Sequence, residues 1–253
     1  MLIPLIFPLF VSLASSTQKD ADVPSLNDIT ATQAFINSSD VVVIGFLEGE
    51  ESSSYKELVA AAQKVQSVPV AICSEKEVWV EYGIASDTIT LFRKADNYRE
   101  NLVVAEAKKV ETDGLVNFFT INEVRYITEY NQVTAVGLFN SAVKVHVLLF
   151  ANRGSKEFSV LKKQLGALAP EFTGKFLFVV INGSAQSNFK ALGYFGLDSK
   201  SLPRVGIYDG ESDKKWLMPA GEITAERVRE FCHSFLQGDL KDATSEEAPK
   251  SEL

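Results

Sequence analysis

Two cysteines are the side chains of this chain with the most versatile chemistry, since neighbouring thiols exchange disulfides. Exchange sites place the two cysteines three positions apart at the start of a helix, where the helix N-terminus lowers the pKa of the attacking thiol. Cys73 and Cys232 are instead 159 positions apart. Cys73 ends an apolar run and Cys232 lies in a helical pattern, so both are predicted to be buried small hydrophobic residues, with a long-range disulfide left open.

The other groups that could act in catalysis are histidines and paired carboxylates. His146 alternates with apolar residues and His233 falls in the last helical pattern, so both are predicted to be structural. The acidic pairs at 50–51 and 246–247 lie in predicted loops and are interpreted as solvated. No Gly-x-x-x-x-Gly-Lys-Ser/Thr phosphate loop occurs. The sequence therefore predicts no metal site, no nucleotide site and no cofactor.

Both ends of the chain carry patterns typical of cellular addresses. Residues 1–16 form an uncharged apolar run that ends in small residues, which is typical of a secretory signal peptide and too short to span a bilayer. The last four residues differ at one position from Lys-Asp-Glu-Leu, the signal by which a receptor returns escaped proteins to the endoplasmic reticulum. They are Lys250, Ser251, Glu252 and Leu253. We expect a protein of the endoplasmic reticulum lumen.

The charge balance excludes two classes of partner. The formal net charge is -8, whereas nucleic acids and anionic membrane surfaces select basic patches. Much of the acid lies in residues 239–253, predicted to be a solvated spacer in front of the retrieval signal. No run of 18 apolar residues follows the leader, so no membrane span is predicted. The length that remains fits two domains of ordinary size.

Strands and helices alternate along the rest of the chain, and their order repeats. Apolar runs and helical periodicity predict strands at 41–47, 69–73 and 88–93 and helices at 53–65, 75–82 and 114–122. The second half predicts strands at 144–150, 175–181, 203–208 and 214–218 and helices at 155–172, 188–195 and 225–237. Thr112 and Thr224 are predicted N-caps. The pattern indicates an α/β protein with a mixed sheet between helices in each half.

Matched residues indicate that the two halves are copies of one unit. Gly83 and Gly196, each between a short helix and the third strand, are 113 positions apart. Thr112 and Thr224 precede the last helix of each half and are 112 positions apart. A period of this length means tandem domains rather than a solenoid of short repeats.

Several segments of the second half resemble the substrate-binding domain of protein disulfide isomerases. They are Glu129-Tyr-Asn-Gln-Val-Thr-Ala-Val-Gly-Leu-Phe139, His146-Val-Leu-Leu-Phe150, Gly174-Lys-Phe-Leu-Phe178, Tyr194-Phe-Gly-Leu197, Leu202-Pro203 and Arg229-Glu-Phe-Cys-His233. The resemblance covers about residues 25–240 and is greatest to the small, non-catalytic members of the family. It implies two tandem thioredoxin-like domains, residues 25–123 and 125–238, and a cis peptide bond before Pro203.

An active site of the thioredoxin type would lie where the first strand of each unit meets its helix. These junctions, residues 47–54 and 151–156, contain no cysteine. Both units are therefore predicted to lack Cys-x-x-Cys and to be redox-inactive, and the chain is predicted not to be an enzyme.

The resemblance also implies that the second unit binds unfolded segments in an apolar groove. By position, its lining falls on Tyr130, Ala135, Phe139, Leu165, Val179, Ala191, Tyr194 and Phe195. An apolar surface with tyrosine hydroxyls accepts many sequences, because hydrophobic burial imposes little direction. Val179 and Phe195 fit a core role equally well. Ala191 replaces a larger aliphatic residue, which should widen the groove.

The loop at 209–216 is implied to dock a basic domain of the glycoprotein-dedicated thiol oxidoreductase of the same family. Glu211, Asp213 and Trp216 would supply the acidic and aromatic contacts. Lys214 and Lys215 place positive charge beside the tryptophan, which penalises contact with a basic partner.

Two functions of different class remain open. The first is a non-catalytic luminal module that binds unfolded polypeptides and delivers them to a catalytic oxidoreductase. The second is a structural scaffold whose groove is filled by its own side chains. Two Asn-x-Ser sequons, at Asn37 and Asn182, also leave glycosylation open.

Overall fold

The computed structural model describes residues 23–240, so the predicted signal peptide and the predicted retrieval signal at 250–253 lie outside the described residues. The helices of the first half are α1 (Ile29–Ile36), α2 (Ser53–Lys64), α3 (Lys76–Glu81) and α4 (Thr112–Asn122). Its strands are β1 (Val41–Phe46), β2 (Val70–Cys73), β3 (Thr88–Arg93) and β4 (Tyr98–Val103).

The second half repeats this order with one additional strand and a helix that replaces α1. Its helices are α5 (Thr134–Asn140), α6 (Lys156–Leu168), α7 (Phe189–Tyr194) and α8 (Ala225–Gln237), with 3-10 turns at Ala169–Phe172 and Gln186–Asn188. Its strands are β5 (Ile127–Glu129), β6 (Val145–Ala151), β7 (Leu177–Asn182), β8 (Arg204–Asp209) and β9 (Lys214–Leu217).

Each half builds a mixed sheet flanked by helices. The first sheet has the order β2-β1-β3-β4 and the second the order β5-β7-β6-β8-β9. In both sheets the central strand is parallel to one neighbour and antiparallel to the other. An isolated parallel bridge between Ser25 and Ile72 holds the place that β5 takes in the second sheet. The predicted fold class, two tandem thioredoxin-like units, is confirmed.

Equivalent glycines confirm that the halves are copies. Gly83 follows α3 with φ +62°, and Gly196 lies just after α7 with φ +65°. Both values fall in the left-handed region, where glycine has no steric penalty. The peptide bond between Leu202 and Pro203 is cis, as the resemblance implied.

Helix caps correct one prediction and confirm another. Thr112 is not an N-cap but the first residue of α4, and Glu111 takes the cap position without a side-chain hydrogen bond. The Glu57 carboxylate of α2 instead accepts the Thr112 backbone N–H at 2.6 Å and the Thr112 hydroxyl. Thr224 does cap α8, and its hydroxyl accepts the Arg227 N–H at 3.3 Å.

Strand alternation divides the second sheet into two faces. Phe178 and Val180 of β7 point into a core with α6 and α8. Leu177, Val179 and Ile181 point to the opposite face, which is covered only in part by α5 and α7. The period of two in a strand makes this division unavoidable. The partly covered face is therefore the place where an apolar site can be open to solvent.

A buried ion pair of the first half accepts a hydrogen bond from the second half. The Arg93 Nη2 lies 2.7 Å from the Asp96 Oδ2, and the Arg93 Nε donates to the Asp96 Oδ1 at 3.1 Å. The two side chains are 3% and 0% exposed. The Ser141 hydroxyl, from the second half, donates to the same carboxylate at 2.8 Å. Helix α5 also approaches α4 closely, since a Cβ on Gly137 would lie 2.3 Å from the Ile121 carbonyl oxygen.

Both cysteines are buried and free, which confirms the interpretation as small core residues. Burial raises the pKa of the Cys232 thiol to about 12 and also raises the pKa of Cys73. Over residues 23–240, no helix combines the length and apolar character needed to cross a membrane.

Candidate binding groove

The partly covered face of the second sheet carries an apolar groove between α5 and α7. Leu148 of β6 and Val179 and Ile181 of β7 form its floor, and each is at most 6% exposed. The groove encloses about 210 Å³. The structure brings together six of the residues named from the resemblance: Tyr130, Phe139, Val179, Ala191, Tyr194 and Phe195.

Two aromatic side chains form the exposed part of the groove. Phe139, at the end of α5, is 51% exposed, and Tyr194, at the end of α7, is 38% exposed. Large aromatic rings are costly to leave in water and normally sit in a core or an interface. Val179 and Phe195 are instead buried, with exposures of 1% and 8%. Both are therefore core residues that also form the bottom of the groove.

Two of the eight predicted lining residues are not among those that line the groove. Leu165 lies on α6, is 1% exposed and packs with Phe178 and Val180 on the other face of the sheet. A sheet separates it from the groove, so that prediction is wrong. Ala135 lies one turn before Phe139 on α5 and is half-buried, but it is not among the residues that line the groove.

The wall at Tyr194 is held in place by the β8–β9 hairpin. The Tyr194 hydroxyl donates to the Asp213 carbonyl at 3.0 Å and to its carboxylate at 3.1 Å, and the Tyr208 hydroxyl donates to that carboxylate at 3.2 Å. The Lys215 ammonium donates to the Tyr194 carbonyl and lies 4.5 Å from the centre of its ring. Asp213 has φ +52°, a left-handed turn conformation that Asp and Gly tolerate.

If the groove binds peptides, as the resemblance implies, replacing Asp213 with glycine is expected to weaken that binding about fivefold, near 1 kcal/mol. Glycine keeps the left-handed turn but removes the carboxylate that receives two tyrosine hydroxyls. Asp213→Asn is the matched control, because its side-chain oxygen can still accept both hydrogen bonds. Fluorescence titration of a labelled unfolded peptide measures both variants. Equal weakening by both variants would assign the effect to the charge rather than to the position of Tyr194.

His146 was predicted from the sequence to be a structural residue. The structure places it in the lining of the groove. It is 4% exposed, and its Nε2 has no hydrogen-bond partner among the described residues. Burial lowers the pKa of His146 to about 4, so the ring is neutral at physiological pH. The rings of Phe139 and Tyr208 lie 6.0 and 6.3 Å away. The sequence could have indicated this position, because His146 and Leu148 are two residues apart on one strand and therefore lie on the same face of the sheet.

An orphaned buried nitrogen needs an explanation, because most buried polar atoms are paired. His146 lines the groove together with apolar side chains, so a bound molecule could complete its hydrogen bonding. The groove therefore combines an apolar floor, two exposed aromatic rings and one polar atom without a partner. This combination can accept an apolar group that also carries a hydrogen-bonding atom.

The structure separates the three residues predicted to dock an oxidoreductase. Asp213 lines the groove, and Glu211 lines a neighbouring hollow with Lys144. Trp216 turns to the opposite face of the sheet, where its ring centre lies 4.8 Å from that of Phe235 and its Nε1 is buried. They do not form one continuous surface. In the described part of the chain, no group of three His, Cys, Asp or Glu side chains could hold a metal ion.

Comparisons with known proteins agree with this fold. A family model described as a thioredoxin-like domain matches residues 47–234. Endoplasmic reticulum resident protein 27 of Homo sapiens is 33% identical over 97% of this chain and 93% of that protein, and its Bos taurus counterpart is 33% identical over 92% and 90%. The protein disulfide-isomerase of Gallus gallus is 32% identical over 86% of this chain and 42% of that protein.

The chain therefore belongs to the protein disulfide isomerase family of thioredoxin-like proteins. Within that family it is similar, over nearly the full length of both proteins, to endoplasmic reticulum resident protein 27. It is a protein of the endoplasmic reticulum lumen.

Proposed function

We propose that this protein is a non-catalytic, chaperone-like module whose groove binds unfolded polypeptides. The observation that carries the proposal is the pair of exposed rings, Phe139 and Tyr194, above a buried apolar floor. Exposed apolar patches rimmed by polar residues mark interaction sites in soluble proteins. Unfolded chains expose the apolar side chains that folded proteins bury, so they supply the surface that this groove lacks.

The size of the groove favours side chains of a passing polypeptide over a whole ligand. Sites that enclose drug-sized molecules measure about 300–1,000 Å³, whereas this groove encloses about 210 Å³. One or two apolar side chains fit such a volume. The unpartnered Nε2 of His146 adds a place for a hydrogen-bonding group of the same segment.

The scaffold alternative requires the groove to be filled by the protein's own side chains. Phe139 remains half-exposed and the His146 Nε2 remains unpartnered in the described residues, which favours binding. Thiol catalysis has little support, because both thiols are buried, and burial raises their pKa values. A buried thiol with a raised pKa is a poor nucleophile.

Delivery of the bound polypeptide to a catalytic oxidoreductase is the second part of the proposal. Exposed Glu211 beside the groove supports contact with a basic partner. The Asp209 carboxylate is already used within its own turn, since it accepts the Glu211 N–H at 2.9 Å and the Ser212 hydroxyl at 2.5 Å. The Asp213 carboxylate is engaged by two tyrosine hydroxyls, and Trp216 packs on the opposite face of the sheet, so we assign the partner contact to Glu211. Retrieval through residues 250–253 stays a prediction.

The test of the first part is a titration of a fluorescently labelled unfolded peptide into the mature protein. Phe139→Ala is expected to weaken binding about tenfold, because a buried phenylalanine is worth roughly 1.5–3 kcal/mol. Val160→Ala is the control, since Val160 is 64% exposed on α6 and lies outside the groove. Wild-type affinity for the Phe139 variant, or no saturable binding by the wild type, would contradict the proposal.

A further inference from the structure

We propose that this protein carries one N-linked glycan, on Asn37, and that the second sequon, at Asn182, is unmodified in the folded protein. The inference is independent of the groove and of what the groove binds. It rests on the different surroundings of the two asparagines in the structure.

Both asparagines meet the sequence requirement for N-glycosylation. The triplets are Asn37-Ser-Ser39 and Asn182-Gly-Ser184, and neither has proline in the middle position. The chain is a protein of the endoplasmic reticulum lumen, the compartment in which such triplets are modified. A glycan is bulky and hydrophilic, so only an asparagine whose side chain can remain in solvent carries one in the native protein.

Asn37 has open surroundings. It is exposed at the C-terminal cap of α1, in the short connection to β1. Its backbone is fully used: the N–H donates to the Gln33 carbonyl at 3.0 Å, and the carbonyl accepts the Lys94 ammonium at 2.7 Å. Its side-chain amide makes no hydrogen bond to the described residues. Modification of that amide therefore breaks no contact of the fold, while the backbone holds the asparagine at the surface.

A shallow hollow beside Asn37 offers further room for a sugar. Asn37 borders it together with Phe92 and Tyr98, and the hollow encloses about 270 Å³. Tyr98 is 42% exposed, and sugars pack their apolar faces on exposed aromatic rings as other apolar groups do. No residue of this hollow lines the peptide groove, so a glycan here leaves the groove free.

Asn182 has closed surroundings. Its side-chain oxygen accepts the backbone N–H groups of Arg153 and Ser184, both at 3.1 Å, and so ties the end of β7 to the loop after β6. The sequon hydroxyl is also engaged, because Ser184 donates to the Asn152 side chain at 3.2 Å.

Gly183, between Asn182 and Ser184, is also tightly packed. Gly183 is buried, and even a single Cβ there would lie 2.1 Å from Leu202. A glycan on Asn182 would have to leave between two loops that hydrogen-bond to its own side chain. The sugar would be attached to Nδ2 of the same planar amide whose oxygen accepts both bonds, so it has less room at half-buried Asn182 than at exposed Asn37.

The experiment uses the full chain with its own leader, produced in a eukaryotic cell and purified from it. Peptide-N-glycosidase converts a glycosylated asparagine to aspartate, so mass spectrometry of the treated and untreated protein identifies each modified site. The untreated sample is needed because Asn182 precedes Gly183, and Asn-Gly pairs also deamidate spontaneously. The expected result is conversion at Asn37 and none at Asn182, with the mass decrease of one glycan on treatment. Asn37→Gln should abolish that decrease and Asn182→Gln should leave it unchanged.

Ser39→Ala provides a second removal of the first sequon that keeps Asn37 itself, in case the Asn37→Gln protein does not accumulate. It should also abolish the mass decrease. An untreated wild-type protein without a glycan, a glycan that persists in Ser39→Ala, or conversion at Asn182 that appears only after enzyme treatment would each overturn the proposal.

Discussion

Replacing Ala191 with tryptophan is expected to abolish peptide binding while the protein stays folded. Ala191 lies on α7, is half-buried and lines the groove. An indole ring at this position would fill much of the 210 Å³ available to a client side chain. We expect affinity to fall at least tenfold, about 1.4 kcal/mol, in a titration with labelled unfolded peptide.

Lys190→Trp is the matched control for this plug. Lys190 is the preceding residue on the same helix, is exposed and does not line the groove. It adds the same apolar ring without blocking the site, so its affinity should stay at the wild-type value. Circular dichroism should show both variants folded. Unchanged affinity in the folded Ala191→Trp protein would remove the groove as the binding site.

The second large effect expected is a loss of stability at mildly acidic pH that depends on His146. Burial lowers the pKa of His146 in the folded protein to about 4, from a usual value of 6.5. The folded and unfolded states are both neutral at this residue above pH 6.5. As the pH falls from 6.5 to 4, the unfolded state binds a proton that the folded state does not, so the free energy of unfolding decreases.

The expected decrease from His146 is about 2.5 kcal/mol between pH 7 and pH 4.5. Urea denaturation at the two pH values measures it in the wild type and in His146→Gln, whose amide does not titrate in this range. The difference in pH dependence between the two proteins is the contribution of His146. An identical pH dependence in His146→Gln would contradict the buried, neutral ring.

The sequence predicts the elements with strong periodicity well. The predicted strand at 88–93 and helix at 225–237 match β3 and α8 residue for residue. Four elements were not predicted: α1, β4, β5 and α5. Strand β4 reads Tyr-Arg-Glu-Asn-Leu-Val and lies at the edge of the first sheet, where one side of the strand has no partner and polar residues are tolerated. Strand β5 has three residues, too few for any period to show.

Only those groove residues that lie in segments resembling the family could be predicted from the sequence. The resemblance named Phe139 and Tyr194, which the structure places at the rim. It also named Leu165, whose position on α6 is consistent with either face until the sheet is built. The role of Asp213 depends on the Tyr194 and Tyr208 hydroxyls meeting it across the hairpin. Hydrogen bonds between side chains that are distant in the chain depend on tertiary packing, which a single sequence does not reveal.

The contacts that join the two halves give the first half a part in the proposed binding, although it contributes no side chain to the groove. Helix α5 carries Phe139 in its last turn and is followed by Ser141, whose hydroxyl donates to the buried carboxylate of Asp96 in the first half. The same helix is packed against α4 at Gly137. A wall fixed before the peptide arrives loses little conformational entropy when the peptide binds. For the peptide binding that we propose, the first half would thus act by preorganisation, raising affinity for a polypeptide that it does not contact.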